Sequence, residues 1–221
     1  HYNLGLALRT RGEAQKALAA IRRAVKIEPR NFEAHNAIAG ILLAASEDLE
    51  SAERHIRKAL ENNPNYAPAL NNLALFLKAR GRTAEATSEA RAAVGQAPQY
   101  AAARITLGAL LLELGQTEEA ENTLRDAVAL APEDADAHTN LGAALNYRGA
   151  RAAAEAAFER ALELDPDNSE SLNDLALIRS AQGRPDDATD LLQRALAIKP
   201  NDAMLQVSLG SIFRRQEKWS K

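Results

Sequence analysis

Asparagine side chains recur through this chain at a near-constant step. Asn3, Asn72 and Asn140 fall in one register, and Asn36, Asn71 and Asn173 fall one residue earlier. A carboxamide carries both a donor and an acceptor. Spaced regularly, such groups can hold the N–H and C=O of a peptide backbone together without reading its side chains. The plainer reading is that asparagine is simply common at these registers, and both readings stand at this stage. An apolar series, Leu6, Leu43, Leu75, Ile105, Leu112, Leu177 and Val207, runs alongside. A contiguous exposed apolar strip marks a partner site.

Residues suited to bond-breaking chemistry do not assemble into a pattern. The sequence contains no His-Glu-x-x-His, no glycine-rich phosphate loop and no Gly-x-Ser-x-Gly elbow. His35 and His138 share one repeat position and are expected to pack at a helix interface, and His55 has no partner at metal-ligand spacing. The carboxylate pairs Glu118/Glu119 and Asp186/Asp187 fall where second helices begin, and there they complement the helix dipole. With no cysteine, thiolate zinc, disulfides and thiol catalysis are excluded. No catalytic, cofactor or metal residue is assigned, and the chain reads as a non-enzyme.

The elements that must position the asparagines follow from one period. Pro29, Pro64, Pro98, Pro132, Pro166 and Pro200 recur at intervals of 35, 34, 34, 34 and 34 residues, the mark of stacked supersecondary units. An apolar ladder, Leu4, Ile38, Leu73, Leu107, Leu141, Leu175 and Leu209, keeps the same step. It is followed at once by Gly5, Ala39, Ala74, Gly108, Gly142, Ala176 and Gly210, small enough for a neighbouring helix to come close. Gly12, Gly81, Gly115, Gly149 and Gly183 stand seven residues further on and predict helix ends with positive φ. Each proline stops a second helix. Between the stops, apolar spacing is helical, as in Leu107, Leu110, Leu111 and Leu114. The unit is helix, tight turn, helix, short turn, and nothing reads as a strand.

In these ladders the chain resembles the tetratricopeptide repeat family along its whole length. Segment 135–168 carries Leu141, Gly142, Gly149, Ala154, Phe158, Ala161 and Pro166 in the family's order. The family's aromatic early in the first helix is missing; His35, Leu70, Arg104, His138, Leu172 and Gln206 stand there. The resemblance implies an all-α, right-handed superhelical solenoid of antiparallel helix pairs, with about six and a half repeats over one domain, 1–221. The expected repeats are 1–31, 32–66, 67–100, 101–134, 135–168, 169–202 and a partial 203–221. His1 falls inside a first helix and Lys221 near the start of a second, so the chain reads as a fragment of a longer array.

Composition fits stacked alanine-rich helices: aromatics make up 4%, lean for a compact core. A net charge of −3 argues against nucleic acid or an anionic membrane as partner, and no apolar run is long enough to span one. Three irregularities stand out. One extra residue sits in the turn around Ala45–Glu50, where Ser46 or Asp48 can cap the next helix. In the third repeat Ala90, Gly95 and Gln96 replace larger residues, so that junction is expected to be the softest. Arg179 replaces a leucine, with its stem expected to pack and its guanidinium to reach water, Asp174 or Asp187.

The resemblance further implies that first helices line a concave groove that receives an extended peptide or a helix. Residue by residue, the peptide contacts expected there are Asn36, Asn71, Asn72, Leu75, Ile105, Leu112, Asn140, Asn173 and Leu177. The asparagines resemble the peptide-holding ladder of O-linked N-acetylglucosamine transferases. Glu33, Glu113, Asp136, Glu170 and Asp174 outnumber Lys78 in the middle of the array, with Arg9, Arg214 and Arg215 near the ends. The lysine of the family's chaperone-tail clamp is absent, which disfavours that class of ligand. The reading is an interaction scaffold for an apolar, preferably basic, protein segment. Two alternatives are kept: a substrate-recruiting array of a larger enzyme such as a glycosyltransferase, and a scaffold that self-associates through open solenoid ends.

Overall fold

The computed structural model describes the backbone of residues 1–45 and 48–219, and side chains as far as Arg214 within that span. Among the described residues there are thirteen α-helices and no strand. They fall into two compact units, His1–Leu114 and Gly115–Lys221.

The amino-terminal unit holds α1 (Tyr2–Thr10), α2 (Ala14–Ile27), α3 (Phe32–Ala45), α4 (Leu49–Asn62), α5 (Ala67–Ala79), α6 (Thr83–Gln96) and α7 (Ala101–Glu113). Helices α1 and α2, α3 and α4, and α5 and α6 pack as hairpins, and the first helices α3, α5 and α7 lie side by side. The carboxy-terminal unit holds α8 (Thr117–Leu130), α9 (Ala135–Tyr147), α10 (Arg151–Leu164), α11 (Ser169–Ala181), α12 (Pro185–Ile198) and α13 (Ala203–Trp219). Here α9 pairs with α10 and α11 with α12, and α9, α11 and α13 form the row of first helices. This is an all-α helical repeat solenoid.

The ladders have the physical roles their spacing predicts. Gly12, Gly81, Gly115, Gly149 and Gly183 all adopt φ between 72° and 79°, the left-handed region that a Cβ disfavours. A Cβ on Gly142 would lie 2.7 Å from the Phe158 ring, and one on Gly5 would lie 2.2 Å from Ile21. Those small residues are therefore what lets the second helix of the pair approach. Each second helix contributes one central core side chain, Ile21, Ile56, Ala90, Leu124, Phe158 or Leu192, and all six are fully buried. Ala90 is the smallest of the series, and α6 buries only Ala86, Thr87, Ala90 and Ala93. Phe76 on α5 is the largest buried residue at its own register, where other repeats carry Ile41, Leu110, Ala144, Ile178 and Ile212.

At the irregular turn, Asp48 caps α4 by accepting from the Ser51 N–H, while Ser46 lies outside the described residues. Arg179 departs from its expected partners. Its guanidinium pairs with Glu155 and Glu159 on α10, and its side chain is only 15% exposed. Helix α11 packs against α10, so an arginine at the core-facing leucine position meets the carboxylates of the preceding helix.

The missing family aromatic is replaced by a hydrogen bond. The proline after each second helix leaves its carbonyl in the turn, and after Pro29, Pro98, Pro132 and Pro200 the side chain six residues later donates to it. His35 Nε2 lies 3.0 Å from the Pro29 oxygen and His138 Nε2 lies 3.0 Å from that of Pro132. Arg104 Nε donates to Pro98 at 3.1 Å and Gln206 Nε2 to Pro200 at 3.1 Å. Where Leu172 stands, the Pro166 carbonyl accepts instead from Arg194 at 3.2 Å. Three residue types at these four positions, histidine twice, arginine and glutamine, share one property there, an N–H at the end of a side chain.

Candidate peptide-binding face

The row of first helices in each unit carries the amides, and local packing decides how each one is used. In the amino-terminal unit Asn72 Nδ2 donates to Asn36 Oδ1 at 2.7 Å, tying α5 to α3. Asn71, one residue earlier, is buried with 4% exposure, and its Oδ1 has no hydrogen-bond partner. In the carboxy-terminal unit the same register is filled at α9 by Thr139, whose hydroxyl meets that of Ser171 at 2.8 Å. Ala103 and Leu205 stand where Ser171 does and have no polar side chain. That accounts for the unpartnered oxygens of Asn71 and, on α11, of Asn173. Asn140 turns back on its own helix and donates to the Asp136 carbonyl at 2.8 Å. Asn173 Nδ2 donates to Asp174 Oδ1 at 3.0 Å.

Of the apolar series, Leu75 is 36% exposed, Leu177 39% and Val207 63%, whereas Leu6, Leu43, Ile105 and Leu112 are half-buried. The structure thus joins Asn36 to Asn72, and it sets Asn71 in the interior, where a peptide reaches it only after its neighbours move. The acidity is uneven. Lys78 pairs with Glu113 at 2.9 Å, so that carboxylate is balanced. In the carboxy-terminal unit burial pushes the Asp174 carboxyl up to about 6, opposed by the Asn173 amide and reinforced by Glu170. Asp136 is raised as well, by burial and then by Asp134 and Asp165. Among the described residues no group of three or more His, Cys, Asp or Glu side chains is placed to hold a metal, and no helix is long and apolar enough to cross a membrane.

Two features escaped the sequence reading. His55 does have a partner, because α3 and α4 pack as a hairpin and bring its Nδ1 to 2.8 Å from His35 Nδ1. Since His35 Nε2 faces a carbonyl, which only accepts, His35 carries its proton there and His55 donates across the pair. Twenty intervening residues hide this contact, and only the helix pairing reveals it. The second feature lies at the starts of the first helices. The equivalent N-cap positions are Asn31, Tyr66, Tyr100, Asp134, Asn168 and Asp202. Asn31, Asp134, Asn168 and Asp202 each accept a backbone N–H of the first turn. Tyr66 and Tyr100 make no cap, forgoing an interaction typically worth about 0.5–2 kcal/mol. This break in the series was visible in the sequence, had caps been aligned as the prolines were.

Comparison with known proteins places the chain. The curated relatives include the type IV pilus assembly protein PilF of Pseudomonas aeruginosa, 34% identical over 86 residues, which are 39% of this chain and 34% of PilF. The chain thus matches about a third of that relative's length. The solved structure of Pseudomonas aeruginosa PilF superposes with a TM-score of 0.74 at 20% identity, over 97% of this chain and 95% of the other. YrrB, a TPR protein described as having an unusual peptide-binding site, superposes with a TM-score of 0.59 at 23% identity, over 87% and 97% of the two chains. Both superpositions speak for the fold. Family signatures described as Tetratricopeptide repeat match residues 77–145 and 147–209, with further matches over 55–87 and 2–47. Proline stops, positive-φ glycines and glycine-to-core approaches agree with those matches, and the chain belongs to the tetratricopeptide repeat family.

Proposed function

We propose that this chain is a protein-interaction scaffold that receives an extended peptide segment on the face made by its first helices. The observation that carries the reading is the exposure of Leu75 beside the Asn36–Asn72 amide pair on the first-helix row of the amino-terminal unit, with Leu177 exposed on the first-helix row of the carboxy-terminal unit. PilF, named for pilus assembly, and YrrB, named for a peptide-binding site, support an assembly or peptide-holding role. Asp136, Glu170 and Asp174 favour a basic segment, acting more on association rate than on final affinity.

Peptide-library capture with the parent and two double variants tests this reading. Asn72→Ala with Asn140→Ala should weaken many peptides alike, by about 0.5–1.5 kcal/mol per lost hydrogen bond. Leu75→Ser with Leu112→Ser should change which peptides are preferred. If both variants capture the parent's set with unchanged strength, the first-helix face is not the site.

A further inference from the structure

Charge is distributed unevenly along this chain. Residues 1–114 carry fifteen Lys and Arg against eleven Asp and Glu, and residues 115–221 carry twelve against nineteen. Many of the cations are held by a neighbouring carboxylate, as Arg57 is by Glu53 and Lys78 by Glu113. Helix α2 departs from this. It holds Lys16, Arg22, Arg23 and Lys26 and no acid. Lys16 pairs with Glu13 at 2.6 Å. Among the described residues no carboxylate lies within ion-pair distance of Arg22, Arg23 or Lys26, and all three are exposed. Helical spacing sets them together: Arg22 and Lys26 stand four residues apart, Arg23 and Lys26 three, and Ile27 follows Arg23 by four. The opposite arc of the helix is buried through Ala17, Ile21 and Ala24. Ile27 borders the outer stripe and is 72% exposed.

The carboxy-terminal unit carries the opposite stripe. On α11, Glu170, Asp174 and Leu177 follow one another by four and three residues, which is one line along the helix. Asp136 on α9 occupies the register of Glu170 one repeat earlier, and α9 packs beside α11. Helix α9 contains no lysine or arginine, and the arginine of α11, Arg179, is turned to Glu155 and Glu159 on α10. Among the described residues no cation lies within ion-pair distance of Asp136, Glu170 or Asp174.

Two unmatched stripes of opposite charge, each ending in an exposed aliphatic side chain, therefore lie on one polypeptide. Their dimensions agree. At about 1.5 Å per residue, Ile27 stands about 6 Å along α2 from Arg23, and Leu177 about 4.5 Å along α11 from Asp174. With the two helices running in the same direction, the isoleucine meets the leucine while Arg23 reaches Asp174, and the long arginine stem takes up the difference.

We propose that the α9–α11 face of one copy receives α2 of a second copy, so that the chain associates with itself head to tail. The proposal rests on the reading of the first-helix face as a binding surface, and it names an occupant for the acidic part of that face. The contact joins two different patches, so a bound copy still offers a free stripe to the next copy.

The experiment is sedimentation velocity of the full chain over a concentration series, at low and at high salt. The parent should associate increasingly as concentration rises. Raising salt from about 0.01 M to about 1 M shortens the screening length from about 30 Å to about 3 Å, and it should weaken association about tenfold or more. Two variants reverse the charges at exposed positions: Arg22→Glu with Arg23→Glu and Lys26→Glu, and Asp136→Lys with Glu170→Lys. Each variant alone should stay monomeric where the parent associates. Mixed together they should associate, since each contact then joins opposite charges. A chain carrying all five substitutions has both stripes reversed and should associate again, which a damaged fold could not do. A parent that stays monomeric at low salt, association unchanged by either reversal, or no recovery in the chain with all five would overturn the inference. So would a monomeric parent whose α2 cations bind an anionic vesicle or an oligonucleotide instead. Capture of library peptides on the first-helix face of a protein that never self-associates would overturn it while leaving the scaffold reading intact.

Discussion

The His35–His55 pair makes the second repeat sensitive to acid, and the size of the effect can be worked from the site. Burial lowers the His55 pKa from 6.5 to about 4; a charge on His35 and then Arg22 and Arg54 add to this, and Asp48 opposes it. In the unfolded chain His55 titrates at its ordinary value, so between those two values the unfolded state holds more protons. Stability is therefore full above about pH 6.5 and falls as pH drops toward 4. From pH 7 to pH 5 the linkage amounts to about 2 kcal/mol, and solvent screening at this half-buried ring trims it to about 1–2 kcal/mol. The added proton falls on His55 Nε2, since its Nδ1 already carries the hydrogen that donates to His35 at 2.8 Å, so acid charges a half-buried ring and leaves that bond in place. The perturbation is His55→Ala, the residue that position 20 already carries at this register. Urea unfolding of parent and variant at both pH values isolates the histidine from carboxylates that titrate in each. The parent should lose about 1–2 kcal/mol more than the variant on acidification, and an NMR titration should place the His55 ring well below 6.5. Equal losses in the two proteins would refute the argument, because the ring would then charge as easily folded as unfolded.

Two further outcomes concern the helix stack. Amides of 85–97 should exchange roughly tenfold or more faster than those of 119–131, because Ala90 buries far less than Leu124 and each repeat leans only on its neighbours; equal protection would show that Phe76 makes up the deficit. Gly142→Ala should cost about 1–3 kcal/mol in a denaturant titration, since its Cβ would meet a rigid ring at 2.7 Å. Gly40→Ala, whose Cβ finds only Asn72 at 3.6 Å, should be neutral or gain about 0.5–1 kcal/mol.

The fold was legible because proline, glycine and alanine act through the backbone, and backbone rules depend on local sequence. Pro132 and Gly149 each dictate a helix end whatever packs nearby, so their recurrence yields the helices directly. The site was less legible because side-chain pairing is settled between helices. Nothing near Asn72 in sequence shows that its nitrogen is taken by Asn36, nor near Arg179 that Glu155 is its partner. Asn71 shows the same limit: its register matches that of Asn36, yet one is interior and the other half-buried. The tyrosine starts were missed for another reason. They belong to a capping register, and a search for groove-facing residues passes over it.

The side chains that hold the proline carbonyls have a consequence for how this chain is made. Each such bond spans only six residues, from turn to first helix, and needs nothing further along the polypeptide. A chain leaving the ribosome can therefore fix the turn after one repeat before the next second helix has been synthesised. The first helices that carry this bond, α3, α7, α9 and α13, would be set at their working angle while the next second helix is still inside the exit tunnel, which shortens the time that apolar faces such as that of α9 wait uncovered. Synthesis and stacking could then proceed at the same pace, one repeat at a time.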